Sequence, residues 1–184
     1  VLNSKDFGVP QNRERIYIVA FRNDISPNEF TFPEGSDSLT TIRDILDPAP
    51  IPAKYYLSDT YVASLKAHRA RNEAKGNSFG YVIRDLDGIS GTIMCGGMGR
   101  ERNLLIDRRP HSMTPTTNIR GSINTDDWRK MTPREWARLQ GFPETFDFPL
   151  SDSATYKQLG NSVTVPVIRA IASNISDVLA ETDK

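Results

Sequence analysis

The stretch RIYIVAF, Arg15 to Phe21, constrains the fold of this chain more than any other. It is a nearly continuous apolar and β-branched run, which suits a strand covered on both faces rather than one with a wet side. That predicts an α/β architecture, with helices packed on a parallel or mixed sheet. The turn before it, FGVPQNRER, carries Arg13 and Arg15 into the strand. The far end supplies a helix to dock on such a sheet. In VPVIRAIASNISDVLA, Ile168, Ile171, Ile175 and Val178 are spaced three, four and three, with Pro166 in the first turn.

Between these ends the pattern changes. Thr41 and Asp44 suit the cap of a short helix, IRDIL, which the proline-rich DPAPIPAKYY ends. That stretch is a candidate boundary. Ser58 then caps a helix through about Ala74, with Tyr61, Val62 and Leu65 on one side, Lys66, Arg69 and Arg71 largely on the other, and Gly76 as its stop. FGYVIRDLDGISGTIMCGG reads as two short strands around Asp87-Gly88 running into a glycine-rich loop, and NLLID as another strand. The resulting division is 1–47 as one α/β piece, 48–127 as a small β-rich insert, and 128–184 as a return to the first piece.

Within RKMTPREWARLQGFPETF, the Thr132 hydroxyl can accept from the Glu135 amide while Glu135 reaches back to the Thr132 amide. Pro133 sits where a missing amide costs least, and Gly141 is placed to end the helix. Periodicity alone describes a short helix packing Trp136 and Leu139 against a neighbour. In YKQLGNSVTVP, Gly160, Asn161 and Ser162 suit a flexible turn beside a helix start, fit for a ligand's carboxylate or amine or equally for an ordinary loop and cap.

Lysine plus arginine equals aspartate plus glutamate, 23 each, so net charge argues neither for nor against a polyanionic partner. Distribution says more: Lys66 to Arg109 holds nine basic and five acidic residues, Val1 to Asp47 five and eight. The single cysteine, Cys95, excludes an internal disulfide, and His68 and His111 do not complete a usual structural zinc site with it. No metal is expected. No apolar run suggests a membrane span and no signal pattern opens the chain, so a cytoplasmic protein is the simpler reading. VLNSKDFGVPQNRER reads as the inside of a domain, as if the 184 residues were part of something longer.

Taken in order, PQNRERIYIVAFR, RKMTPREWARLQGFPETF and YKQLGNSVTVP, with about a hundred residues between the first two, resemble the C-terminal motifs of the DNA cytosine methyltransferases that modify carbon 5. They match the family's Q-x-R-x-R, R-x-x-T-x-R-E-x-A-R-L-Q-G-F-P and G-N-S-V segments. Thr92-Ile93 and GGMG, Gly96 to Gly99, fit its target recognition region. The family's cofactor loop, Pro-Cys nucleophile and Glu-Asn-Val segment do not occur, and Cys95 lies in the recognition region. The resemblance therefore implies the C-terminal part of a Rossmann-like, S-adenosylmethionine-dependent methyltransferase domain plus a small β-rich recognition domain. It implies an N-terminal catalytic half, removed or on a separate subunit, without which the chain transfers nothing.

The resemblance also implies roles. Arg15 would donate to the carbonyl of a flipped cytosine, with Arg13 steadying the nucleotide; two solvated arginines paired with Glu14 and Asp6 remain the alternative. Asn161, Ser162 and Val163 are the cofactor-side residues. Arg129 and Arg134 would hold the recognition region against the catalytic body. For duplex DNA, Thr92, Gly97 and Gly99 belong to the recognition loop. Arg100 and Arg102 suit guanine edges, Asn103 adenine, and Glu101 a cytosine amine. Lys66, Arg69, Arg71, Arg108, Arg109 and Arg120 suit phosphates or, equally, a solvated face. A restriction-modification system is the family's usual company. The rival readings are a freestanding sequence-specific DNA-binding module without the reaction, and a protein-binding remnant.

Overall fold

Beyond Arg15, the run to Phe21 finds no strand alongside it among the described residues. The computed structural model describes residues 1–23, 30–36, 40–96, 98–112 and 121–182, with side chains to 180. In it only Glu14–Arg15 (β3) is paired, antiparallel to Leu2–Asn3 (β1). Ile16 and Ile18 are 77% and 89% exposed. The expected strand covered on both faces is corrected: its sequence suits one, but a strand needs neighbours to take its amides and apolar side chains, and none stands beside it.

The remaining ladders are short. Gln11–Asn12 (β2) runs parallel to Ser90–Gly91 (β5), and Ile51–Pro52 (β4) parallel to His111–Ser112 (β7). Leu104–Ile106 (β6) is antiparallel to Trp128–Lys130 (β8). The pair around Asp87-Gly88 is not a hairpin. Residues 85–88 form a turn closed by the Gly88 amide on the Asp85 carbonyl, and Ile83 bridges Leu104 instead. The largest element of the middle segment is a helix, Asp59–Glu73 (α1), capped by the Ser58 hydroxyl accepting from the Tyr61 amide, with Gly76 at φ +74 beyond its end.

The other capping expectations hold. Thr41 and Asp44 form a capping box on the 3-10 turn Ile42–Ile45, and Thr132 and Glu135 form one on the helix Pro133–Leu139 (α2). Gly141 has φ +71, and a side chain there would run into the Pro166 ring. Asp152–Asn161 (α3) and Val165–Thr182 (α4) complete the chain. Gly160 and Asn161 thus end a helix rather than forming the flexible turn their composition suggested. Gly160 is buried, and a Cβ on it would stand 2.5 Å from the Cys95 amide nitrogen.

Two apolar clusters hold these elements. One gathers Ile42, Ile45, Ile93, Leu105, Met131, Trp136, Leu139, Tyr156 and Leu159, so it draws on all three sequence segments. The other packs Leu57, Val62, Leu65, Leu104 and Trp128 under α1. On α4, Val167 and Ile171 are buried while Ile168 is exposed and Ile175 and Val178 half-buried, so the expected docking face is only partly covered. Asp152–Ala180 is long and apolar enough by composition to cross a membrane, which the sequence reading did not expect. It is two helices interrupted at 162–164, and core helices pass the same test.

Candidate functional site

Four polar side chains join the three motif segments. The Gln11 amide donates to the Leu139 carbonyl at 2.8 Å, and its oxygen accepts from the Ile93 amide at 3.0 Å. Arg13, 4% exposed, donates to the carbonyls of Ile93 (2.8 Å), Gly160 (3.3 Å) and Ser162 (2.8 Å). The Gln140 amide donates to the Leu159 carbonyl at 2.8 Å, and its oxygen accepts from the Thr164 hydroxyl at 2.9 Å. Thr164 in turn shares a hydrogen bond with Ser4. Burying so many polar groups is tolerated because nearly every one is answered. The sequence alone assigned no role to Gln11, Gln140 or Thr164; the available signal was that both glutamines are letters of the matched Q-x-R-x-R and L-Q-G-F-P segments.

Arg13 is thereby a positioning residue, its guanidinium held by main chain rather than open to a nucleotide. Burial first, and then the neighbouring Arg15, lower its pKa to about 10, so it stays charged at neutral pH. Arg15 follows Gln11 and Arg13 at the strand's two-residue period, and where those two are covered it is exposed. Its Nη1 donates to the Glu14 carbonyl at 2.6 Å, and no carboxylate among the described residues pairs with it. The alternative pairing with Glu14 or Asp6 side chains does not occur.

Beside this strand lie Asn161, Ser162 and Val163. The Cys95 thiol donates to Asn161 Oδ1 at 2.8 Å, which leaves the Asn161 amino group open. The Ser162 hydroxyl is spent on the Leu159 carbonyl, so it offers shape more than a hydrogen bond. Val163 is exposed. A recess of about 490 Å3 opens along Ala154, Lys157, Gln158, Asn161 and Ser162. An open amide, an exposed apolar side chain and a recess suit one edge of a site for a polar, partly apolar small molecule. Among the described residues no cluster of histidine, cysteine, aspartate and glutamate suits a metal.

The recognition loop differs from expectation residue by residue. Gly97 and Arg120 lie outside the described residues. Gly99 is buried, and its missing side chain makes room for the loop's own Met94 carbonyl, 2.4 Å from an added Cβ. Thr92 donates to the Asn12 carbonyl at 2.8 Å. Arg100 lies over the Tyr156 ring, 5.3 Å from its centroid, and lines a recess of about 250 Å3 with Cys95, Trp136 and Lys157. Arg102 lies over Phe79.

Glu101 and Asn103 are corrections. Glu101 is buried and accepts from the Tyr61 hydroxyl and the Lys130 ammonium. Asn103 is buried, its oxygen taken by the Gly91 amide and by Arg84 Nε. The Asn103 amino group has no partner but is buried with the rest of the side chain, so neither residue presents a base-reading edge and both brace the loop. Four of the suggested phosphate cations are likewise engaged. Lys66 pairs with Asp126, Arg69 with Glu73, and Arg109 with Asp107 and the Asp47 carbonyl. Arg108, though exposed, stands 3.7 Å from the Asp127 carboxylate, and Arg71 is exposed.

The brace around Arg129 is more complete than the sequence suggested. Arg129, fully buried, donates to Asp107 at 2.7 Å and bidentately to Glu135 at 2.7 and 2.8 Å. Burial works to raise the Asp107 carboxyl, but the Arg109 and Arg129 hydrogen bonds outweigh it and hold it at about 2. Burial would lower Arg129, yet Glu135 and Asp107 raise it further. Arg134 instead donates to the Phe146 carbonyl and lies over Phe148, bracing only its own segment.

Residues 1–177 match the model of the C-5 cytosine-specific DNA methylase family. The Type II methyltransferase M.HpaII of Haemophilus parainfluenzae is 54% identical over 179 residues, covering 97% of this chain and 50% of that protein. M.NlaX of Neisseria lactamica is 40% identical, covering 98% of this chain and 52% of that one. The chain thus spans about half the length of these relatives. Among solved structures, the Entamoeba histolytica methyltransferase EhMeth and S. pombe Dnmt2 each superpose with a TM-score of 0.61 over 97% of this chain, covering 52% and 56% of theirs at 19% and 21% identity. These likenesses show an α/β methyltransferase fold, and with the sequence match over nearly the whole length this chain belongs to the C-5 cytosine-specific DNA methylase family.

Proposed function

We propose that this chain is the C-terminal, target-recognising part of a DNA (cytosine-5-)-methyltransferase, completed by an N-terminal half that carries the nucleophilic thiol. Residues 1–47 then end the catalytic domain, 48–127 carry recognition, and 128–184 return to the catalytic body. The observation that carries the reading is the contrast along one strand. Arg13 ties the strand to Ile93 of the recognition loop and to Gly160 and Ser162, and two residues on Arg15 is left exposed with its charge unpaired. A guanidinium so supported is oriented before substrate arrives, as stabilising charge that develops on a base carbonyl requires. The exposed Ile16, Ile18 and Ile168 are apolar surface that the N-terminal half would cover.

In this reading Arg15 donates to the carbonyl of a cytosine flipped from duplex DNA, and Arg13 keeps the strand in register. S-adenosyl-L-methionine, when bound, supplies an electrophilic methyl group. The Asn161 amide and Val163 would form one edge of its site, and Ser162 would shape the turn. Thr92, Gly99 and Arg100 present the recognition loop, with Arg100 oriented by Tyr156. The family's relatives named Type II methyltransferases support a place beside a restriction enzyme, in the cytoplasm with DNA.

The test is complementation: a fragment bearing the Pro-Cys half, labelled S-adenosylmethionine and duplex DNA, with methylcytosine as readout. Transfer is expected only with both halves present. Arg15→Ala should abolish transfer while leaving duplex binding; equal loss of both would reassign it. No transfer with any suitable half would favour a non-catalytic DNA-binding module.

A further inference from the structure

Arg84 was not singled out by any motif, yet it and Arg102 line one recess of about 370 Å3 together with Asn12, Ser90, Thr92 and Met94. We propose that Arg84, Arg102 and the Ser90 hydroxyl form a binding site for one phosphodiester group of the DNA strand. The proposal rests on the reading of the chain as a DNA-binding methyltransferase part and adds a ligand subsite to it.

Three observations carry it. First, two guanidiniums share this recess and no carboxylate among the described residues pairs with either. Elsewhere in the middle segment Arg69 is answered by Glu73 and Arg109 by Asp107, while Arg100 has the Tyr156 ring for company. Second, Arg84 is held by its back edge. Its Nε donates to the Arg102 carbonyl at 3.2 Å and to Asn103 Oδ1 at 3.1 Å, so the two terminal amino groups keep no partner among the described residues. Gly91 makes this geometry possible, because a Cβ there would stand 2.2 Å from Arg84 Nη2. Third, Ser90 is 1% exposed and its Oγ has no hydrogen-bond partner. A buried hydroxyl left unanswered is costly, and such groups in native proteins usually await a ligand or water.

The chemistry selects an anion. Burial and then the neighbouring Arg102 lower the Arg84 pKa, so the folded chain holds these like charges together at a cost. A neutral base edge accepts hydrogen bonds without compensating that charge. A phosphodiester does both, and its two free oxygens suit the paired donors of a guanidinium with a hydroxyl beside them. Asn103, expected to read adenine, is thus the residue that orients Arg84.

Duplex binding measured against salt tests this, using the 184-residue chain alone and joined to a catalytic half, with a target and a scrambled duplex. Arg84→Gln and Arg102→Gln should each weaken both duplexes roughly tenfold and equally, and flatten the salt slope by about one. Ser90→Ala should weaken both duplexes several-fold while the melting temperature holds or rises, since the variant removes an unanswered hydroxyl. It keeps the test decisive should an arginine variant fail to fold. A loss confined to one duplex would make the recess a base reader and overturn the proposal. Unchanged affinity in a folded variant would overturn it too, as would a lower melting temperature in Ser90→Ala. If the unsubstituted protein binds and methylates while Arg84→Gln behaves identically, only this proposal falls. If the unsubstituted protein binds no duplex, the functional reading falls with it.

Discussion

Arg129 and the Arg84–Arg102 pair are treated in opposite ways. Around Arg129 every charge is matched: Asp107, Glu135 and Asp47 form a closed set with Arg109, Arg138 and the capping hydroxyl of Thr132. Along the recess of Arg84 and Arg102 no acid lines the wall and a buried hydroxyl goes unanswered. A closed set fixes position and asks nothing of a partner. An open one leaves free energy to be recovered on binding. The same contrast separates Arg13, answered by three carbonyls, from exposed Arg15. Residue type is therefore no guide to role here; the completeness of the surroundings is.

Breaking the closed set should cost most. Arg129→Met leaves Asp107 and Glu135 buried without their cation and should lower stability by about 3 to 5 kcal/mol, read as a fall in the urea midpoint. Gln140→Ala removes one of the hydrogen bonds of the Leu159 carbonyl and of the Thr164 hydroxyl and leaves a void where a fully buried side chain stood, so it should cost about 1 to 3 kcal/mol in the same measurement. Acid tests the closed set without mutation. The Asp107 carboxyl is held at about 2, below its ordinary 3.8, so its contribution is whole above 3.8 and is lost as pH falls toward 2. That amounts to about 2 kcal/mol, and Asp107→Asn should remove this part of the acid dependence. At the open end, Arg15→Ala should change stability by less than about 0.5 kcal/mol, since its side chain meets only its neighbour's carbonyl. A large stability loss there would erase the distinction between the two arginines.

Much of the local structure was legible. The two capping boxes, the Ser58 cap and the glycine stops at Gly76 and Gly141 rest on short-range hydrogen bonds that a few neighbouring residues specify. The motif order led to the family. What local pattern did not reveal is whether a polar side chain ends at solvent. Glu101 and Asn103 stand in a sequence, RERN, that looks like a surface, and both are buried by the turn that contains them. The Gly160 turn proved helical because its glycine serves contact with Met94 and Cys95, 65 or more positions earlier, rather than backbone freedom.

The sequence by itself determined where helices start and stop, which segments are apolar and which family the chain belongs to, because those follow from neighbours along the chain and from motif order. Only the tertiary structure decided which arginines are matched and which are open. Matching depends on carboxylates and carbonyls tens of residues away, such as Asp107 for Arg129 and Gly160 for Arg13, and burial gives those distant partners their weight.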